Sequence, residues 1–299
     1  MKILFTTDGS EHSESAARFL NRLRLSPLDE ITILHVVSND PFQDEGDYYY
    51  TKIREIRQMI APNILDSARN ILQLVPAKVS TMLMHGYPDE CIVDAAVNSD
   101  TDIIIMGHKR LRGIQSRIVG SVTKSVSINS PKPALVIKPL RQESSSVNLK
   151  ILLATDGSGN ANMTAEFLTS LPFPADSEIV ILHVVTPAFH GIPERFMTKL
   201  DATVTRDLNG YEPAESEKSK EILSNTTGII QKRFLNIKTL TKSGDPADEI
   251  LQTAIDLRTD IIVLGSKGMG GFKGVVGSAS RYILSAADCS VLIGKRAAP

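Results

Sequence analysis

Tryptophan is absent, aromatic residues make up only 5% of the chain, and 299 residues contain just two cysteines. Cys91 and Cys289 stand alone, with no Cys-x-x-Cys or Cys/His spacing, which excludes a disulfide framework and the usual zinc sites. Both lie in apolar surroundings and read as packing residues. Long apolar runs are missing too. Those present are too short to span a bilayer, and the amino terminus passes straight into a strand pattern without the layout of a signal peptide. An excess of charge is also lacking. A net charge of −1 removes the electrostatic footprint of a dedicated nucleic-acid binder. No Walker A lysine motif, Ser/His/Asp triad or paired-carboxylate hydrolase pattern is found. These absences fit a soluble protein of a reducing cytoplasm that offers binding chemistry and little sign of turnover chemistry.

What is present is repetition. Lys2-Ile3-Leu4-Phe5-Thr6-Thr7-Asp8-Gly9-Ser10 returns 148 residues later as Lys150-Ile151-Leu152-Leu153-Ala154-Thr155-Asp156-Gly157-Ser158. Ile31–Val37 returns as Ile179–Val185 with the same shift, and Thr101–Gly107 returns as Thr259–Gly265 after 158 residues. Three matched blocks in the same order mean two copies of one domain, far longer than a solenoid repeat of roughly 20–50 residues. Each copy is large enough to bury its own core. The polar, serine-rich stretch Pro139–Val147 reads as a linker, giving a first domain over 1–140, a linker over 141–148 and a second domain over 149–299. A linker this short places the domains side by side.

Each half alternates short apolar runs with helical patterns. Strands are expected at Ile3–Thr7, Ile31–Val37, Lys78–Met84, Asp102–Met106 and Ala134–Lys138, with helices at Glu11–Leu23, Tyr50–Leu74, Asp89–Ala96 and Ser121–Ile128. The second copy repeats the strands near Ile151–Thr155, Ile179–Val185, Ile237–Thr241, Asp260–Leu264 and Ser290–Ile293. The runs are rich in Ile, Val and Leu without strict polar alternation, as in strands covered on both faces. The βαβ order implies an α/β fold of two doubly wound domains, each a five-stranded parallel sheet of order 3-2-1-4-5 with helices on both faces. Extra residues in the second half fall after its second strand, where Pro187, Gly191, Pro193, Gly210 and Pro213 argue for an enlarged loop or broken helix.

The segment after the fourth strand carries the chemistry. In the second copy it runs from Gly265-Ser266-Lys267-Gly268 to Gly277-Ser278 and then into a helix. Glycines permit positive φ and close approach of backbone N–H groups to an anion. A helix N-terminus adds free donors and the positive end of a dipole. Ser278 offers a hydroxyl, and Lys267 or Lys273 a cation. A surface loop that binds nothing is the plainer reading, but the position after a parallel strand is where open α/β sheets bind ligands. Asp8-Gly9-Ser10 and Asp156-Gly157-Ser158 end the first strands on the same edge. They read as tight turns with helix N-caps, as acidic groups facing a ribose or metal-bound phosphate, or as both. His35 and His183 occupy matching strand ends and read as structural histidines.

The Thr-Asp-Gly-Ser turn, Leu-His-Val-Val in strand two and the spaced glycines ending in Gly-Ser after strand four resemble the universal stress protein family, over both halves. The resemblance implies a tandem member in which Gly-x2-Gly-x9-Gly-(Ser/Thr) holds the phosphates of ATP, ADP or AMP, with or without Mg. It implies that the strand-one Asp lies near the ribose and phosphates, and that a strand-two Val packs near the adenine. Carried over, the second site comprises Thr155, Asp156, Val184, Leu264, Gly265, Gly268, Gly277, Ser278 and Ala279. The first comprises Thr7, Asp8, Val36, Met106, Gly107, Arg110, Gly120, Ser121 and Val122. Neither copy matches fully. Only eight residues separate Gly268 from Gly277, and Arg110 stands where the first copy should have its second glycine. Arg110 either costs backbone freedom or supplies a cation alongside Lys109, Arg112 and Arg117. The expected function is a cytoplasmic nucleotide-binding stress-response regulator with an unidentified protein partner. Alternatives are a slow ATP hydrolase or nucleotide-dependent transferase, and a non-nucleotide interaction module. Family members pair through their last strands, which two copies could satisfy within one chain; a homodimer of the whole chain stays open.

Overall fold

A computed structural model describes residues 1–38, 48–108, 119–139, 148–187, 211–268 and 276–295. The first half runs β1 (Lys2–Thr6), α1 (Glu11–Leu20), β2 (Glu30–Ser38), α2 (Tyr48–Ile71), β3 (Lys78–Gly86), α3 (Pro88–Asn98), β4 (Ile103–Gly107), α4 (Ser121–Asn129) and β5 (Ala134–Ile137). The second runs β6 (Lys150–Ala154), α5 (Gly159–Ser170), β7 (Glu178–Val185), α6 (Tyr211–Ile230), β8 (Asn236–Ser243), α7 (Pro246–Asp256), β9 (Ile261–Gly265), α8 (Ser278–Ala286) and β10 (Ser290–Gly294). The strands fall where the apolar runs place them, within a residue or two. Helix α1 stops three residues short of the expected Leu23, and the side chain of its C-cap, Asn21, donates to Ile71 O at the end of α2. The extra residues after β7 lie mostly outside the described residues, as do Arg110, its basic neighbours and Lys273.

All ten strands form one sheet, ordered β3-β2-β1-β4-β5-β10-β9-β6-β7-β8. Each half is the expected parallel 3-2-1-4-5 arrangement. The halves meet where β5 and β10 pair antiparallel, Val136 opposite Val291 and Leu135 opposite Leu292. Side-chain alternation explains why the strands are apolar on both faces. Ile3 and Phe5 of β1 enter a core beneath α1, α2, α5 and α6, whereas Leu4 enters the opposite core beneath α3, α4, α7 and α8. Each core runs through both halves, and each fully buried Leu, Ile or Phe stabilises by about 1.5–3 kcal/mol.

Several contacts stitch the seam. On one face the rings of Phe19 and Phe173 meet edge-on with centroids 6.5 Å apart, and Arg24 N donates to Pro172 O at 2.7 Å. On the other, two lysines at matching strand ends cross between domains. Lys138, just after β5, is buried and directs Nζ to the carbonyls of Leu284 and Ala287 at the end of α8. Lys295, just after β10, donates from Nζ to Ile128 O near the end of α4 at 2.9 Å. A cation at a helix C-terminus meets both orphan carbonyls and the negative end of the dipole.

Candidate functional site

Two clefts open at the carboxyl edge of the sheet, one per half, at the switch point between the first and fourth strands of each half. The first encloses about 490 Å³ and the second about 730 Å³. Thr7, Asp8 and Val36 line the first, together with Met106, Gly107, Gly120, Ser121 and Val122. Thr155, Asp156 and Val184 line the second, together with Leu264, Gly265, Gly268, Gly277, Ser278 and Ala279. Every described residue expected at a site from sequence therefore meets its companions in one cleft.

The strand-one turns are built alike. Gly9 and Gly157 both have φ of +76°, a conformation that glycine adopts without strain. The carboxylate of Asp8 accepts from Ser10 N, and that of Asp156 from Ser158 N, both at 3.0 Å. Ser10 and Ser158 in turn cap α1 and α5 by accepting from Ser13 N and Ala161 N. The Asp-Gly-Ser segment is thus a turn and a cap, and it also presents an acidic side chain to the cleft. His35 and His183 are buried, and Nδ1 of each lies 2.8 Å from the carbonyl of Thr7 or Thr155. A carbonyl can only accept, so Nδ1 carries the proton and straps strand two to the residue before the Asp. The histidines line the clefts in a positional role.

The helices α4 and α8 differ from α1 and α5 in a way that bears on anions. Their N-caps are Gly120 and Gly277, which offer no side-chain acceptor to the first turn. Of the two reasons for glycine, freedom of φ and close approach to an anion, φ is not the one that applies at Gly120 and Gly277. Gly277 has φ of −57° and Gly120 −56°, open to any residue. Space is what matters at two other glycines of the clefts, Gly107 and Gly268. A Cβ on Gly107 would lie 2.6 Å from the carbonyl oxygen of His12 in α1. One on Gly268 would lie 2.7 Å from Asp156 Oδ2, so the glycine segment rests directly against the strand-one carboxylate. One on Gly277 would meet nothing nearer than 3.7 Å. Gly277 N–H is already donated to Ser266 O at 2.7 Å, so this residue contributes bare backbone next to the donors of the helix turn. Ser280 Oγ ties that turn to the strand end by donating to Gly265 O at 2.8 Å.

The universal stress protein family is matched twice, over residues 1–138 and again over 148–295. The chain belongs to that family. A universal stress protein of Archaeoglobus fulgidus DSM 4304 has the same fold across both halves, with a TM-score of 0.64 at 21% identity, covering 99% of this chain and 98% of that one. A universal stress protein of Mycolicibacterium smegmatis is 22% identical over 303 residues, 97% of this chain and 96% of its own. One from Methanocaldococcus jannaschii is 28% identical over 152 residues, which is 46% of this chain and 94% of its own, as a one-domain relative would be.

Against this tandem universal stress protein frame, the wall of each cleft away from the glycine segment is what sequence reasoning missed. Ile64 packs against Gly9 as Ile222 packs against Gly157, which aligns α2 with α6. At matching places the first cleft has Arg57 and Ile60, and the second has Glu215 and Lys218, an ion pair at 3.8 Å. Arg281 joins Lys267 as a cation of the second cleft. Its place four residues after Gly277 was a usable signal. Cys91 is buried, and burial, with help from Asp94 and Glu90, pushes its thiol up; neither cysteine forms a disulfide. No helix among the described residues is long and apolar enough to cross a membrane.

Proposed function

We propose that this tandem universal stress protein binds adenine nucleotides in its two clefts and acts as a nucleotide-dependent stress-response regulator. The observation that carries the reading is the glycine-capped start of α4 and α8, where first-turn residues without a side-chain cap line the cleft together with an aspartate turn. Donors at one end suit phosphates. Asp8 or Asp156 suits ribose hydroxyls, and Val36 or Val184 with the adjoining strand end suits an apolar base. Any magnesium would arrive with the nucleotide. In the second cleft Asp156, whose Oδ2 abuts Gly268, would be a carboxylate in reach of such an ion, and phosphate oxygens would supply other ligands.

Protein purified without added nucleotide should release ATP, ADP or AMP on denaturation, detectable by chromatography. Calorimetry on stripped protein should then show binding of the released species. Failure of ATP, ADP and AMP all to bind would overturn the proposal. Turnover beyond one equivalent per site would instead favour the enzyme alternative.

A further inference from the structure

The two lysines of the seam are not equivalent in their surroundings. Lys138 and Lys295 each follow the last strand of one domain and cap a helix of the other. Lys295 in addition sits next to the second cleft. Ser266 N donates to Gly294 O at 2.9 Å, which fastens the residue before Lys295 to the residue before Lys267. Lys267 lines the cleft at the glycine segment, and its charge repels that of Lys295. The helix capped by Lys295 is α4, whose opposite end, Gly120-Ser121, lines the first cleft. One amino group therefore lies between the anion end of the second cleft and the helix that starts in the first.

We propose that Lys295 is the element through which an anion in the second cleft is registered by the first domain. The inference rests on the nucleotide reading of that cleft. Burial, and after it the charge of Lys267, lowers the Lys295 pKa from its ordinary value to about 8. The ionisable residues on the elements around it are Lys124 on α4, Lys138 after β5, Glu166 on α5, and Arg281 and Tyr282 on α8; Lys267 is the one whose charge bears on it. A phosphate chain beside Lys267 replaces repulsion with attraction, because close charges in partly buried settings are weakly screened. Lys295 then takes up a proton. The charged amino group holds Ile128 O more strongly than the neutral amine, because a charged donor makes the stronger hydrogen bond. Occupancy of the second cleft thereby tightens the far end of α4.

The test uses the full chain carrying Asp8→Ala, so that only the second cleft responds, titrated with ATP at pH 8 in two buffers of different ionisation enthalpy. With a midpoint near 8, uptake is expected to approach about half a proton per site. Lys295→Met should abolish that uptake. Lys295→Arg, which keeps charge and cap, should bind ATP without it, and covers the case in which the methionine variant fails to fold. Proton exchange by ATP itself cancels between variants. Hydrogen exchange of 121–129 should slow on ATP addition when Lys295 is present and not in Lys295→Met. Binding with identical proton uptake in all three proteins, or no change in α4, overturns this inference and leaves the nucleotide reading standing. If ATP, ADP and AMP all fail to bind to all three proteins, the nucleotide reading of this cleft falls and this inference with it.

Discussion

Replacing Gly277 by valine should weaken nucleotide binding to the second cleft by at least tenfold while leaving the empty fold nearly unchanged. The separation of these effects comes from the geometry. A Cβ at residue 277 meets Ser266 O at 3.7 Å and Ser280 Oγ at 3.9 Å, ordinary contact distances, and φ is −57°. The cost without ligand is therefore confined to losing glycine as an N-cap, which is up to about 1 kcal/mol. For a protein of this size that lowers the melting temperature by only a few degrees. With ligand the situation reverses. A phosphate oxygen needs about 2.9 Å to a backbone nitrogen, and a branched side chain beside the donor keeps it away. Losing one hydrogen bond to a charged group costs about 1.5–3 kcal/mol, and 1.4 kcal/mol is already tenfold in affinity. Calorimetry with ATP in an Asp8→Ala background, paired with thermal melting of the empty protein, reads both effects. Unchanged affinity alongside an unchanged melt would remove Gly277 from the site.

Gly107→Ala should behave oppositely, destabilising the first domain by about 1–3 kcal/mol even without ligand, because its Cβ would strike backbone of α1; denaturant unfolding measures this. His183→Phe should cost about 1–3 kcal/mol by leaving the Thr155 carbonyl without its buried donor, again read by denaturant unfolding. Lys295 has a lowered folded pKa near 8 against an ordinary value of 10.5, so between those pH values the unfolded chain binds more protons than the folded one. Stability of the wild type relative to Lys295→Met should consequently rise as pH climbs from 8 towards 10, and a flat difference would contradict the assigned burial. In an Asp156→Ala protein, first-site affinity for ATP should fall more steeply with salt than second-site affinity does in Asp8→Ala, if Arg110 and its basic neighbours neutralise phosphate through side chains.

The duplication, the strand positions and the gathering of Asp8 with Gly107, Gly120 and Ser121 were all readable from sequence, because repeats and the period of apolar runs are local signals. Other features depend on distances that no local pattern encodes. The glycine spacing suggests positive φ or close approach to an anion, but not that Gly107 and Gly268 lack room for a side chain, the first next to α1 and the second next to Asp156. Arg57 and Glu215 share a wall position only once α2 and α6 are aligned by their isoleucine contacts with Gly9 and Gly157. Lys138 is merely the last residue of the expected strand Ala134–Lys138, and Lys295 lies just beyond the expected strand Ser290–Ile293. Their role exists only because β5 and β10 run antiparallel, which carries each side chain to the helix of the other domain.

That antiparallel pairing has a consequence for how the two clefts can change. In a symmetric dimer of identical one-domain chains, any substitution enters both sites at once, so neither can drift without the other. Here the partners are consecutive stretches of one polypeptide, held at fixed one-to-one stoichiometry whatever the protein concentration. The cleft with Arg57 and Ile60 and the cleft with Glu215 and Lys218 are free to diverge in shape and charge under a common roof, and dilution cannot separate them.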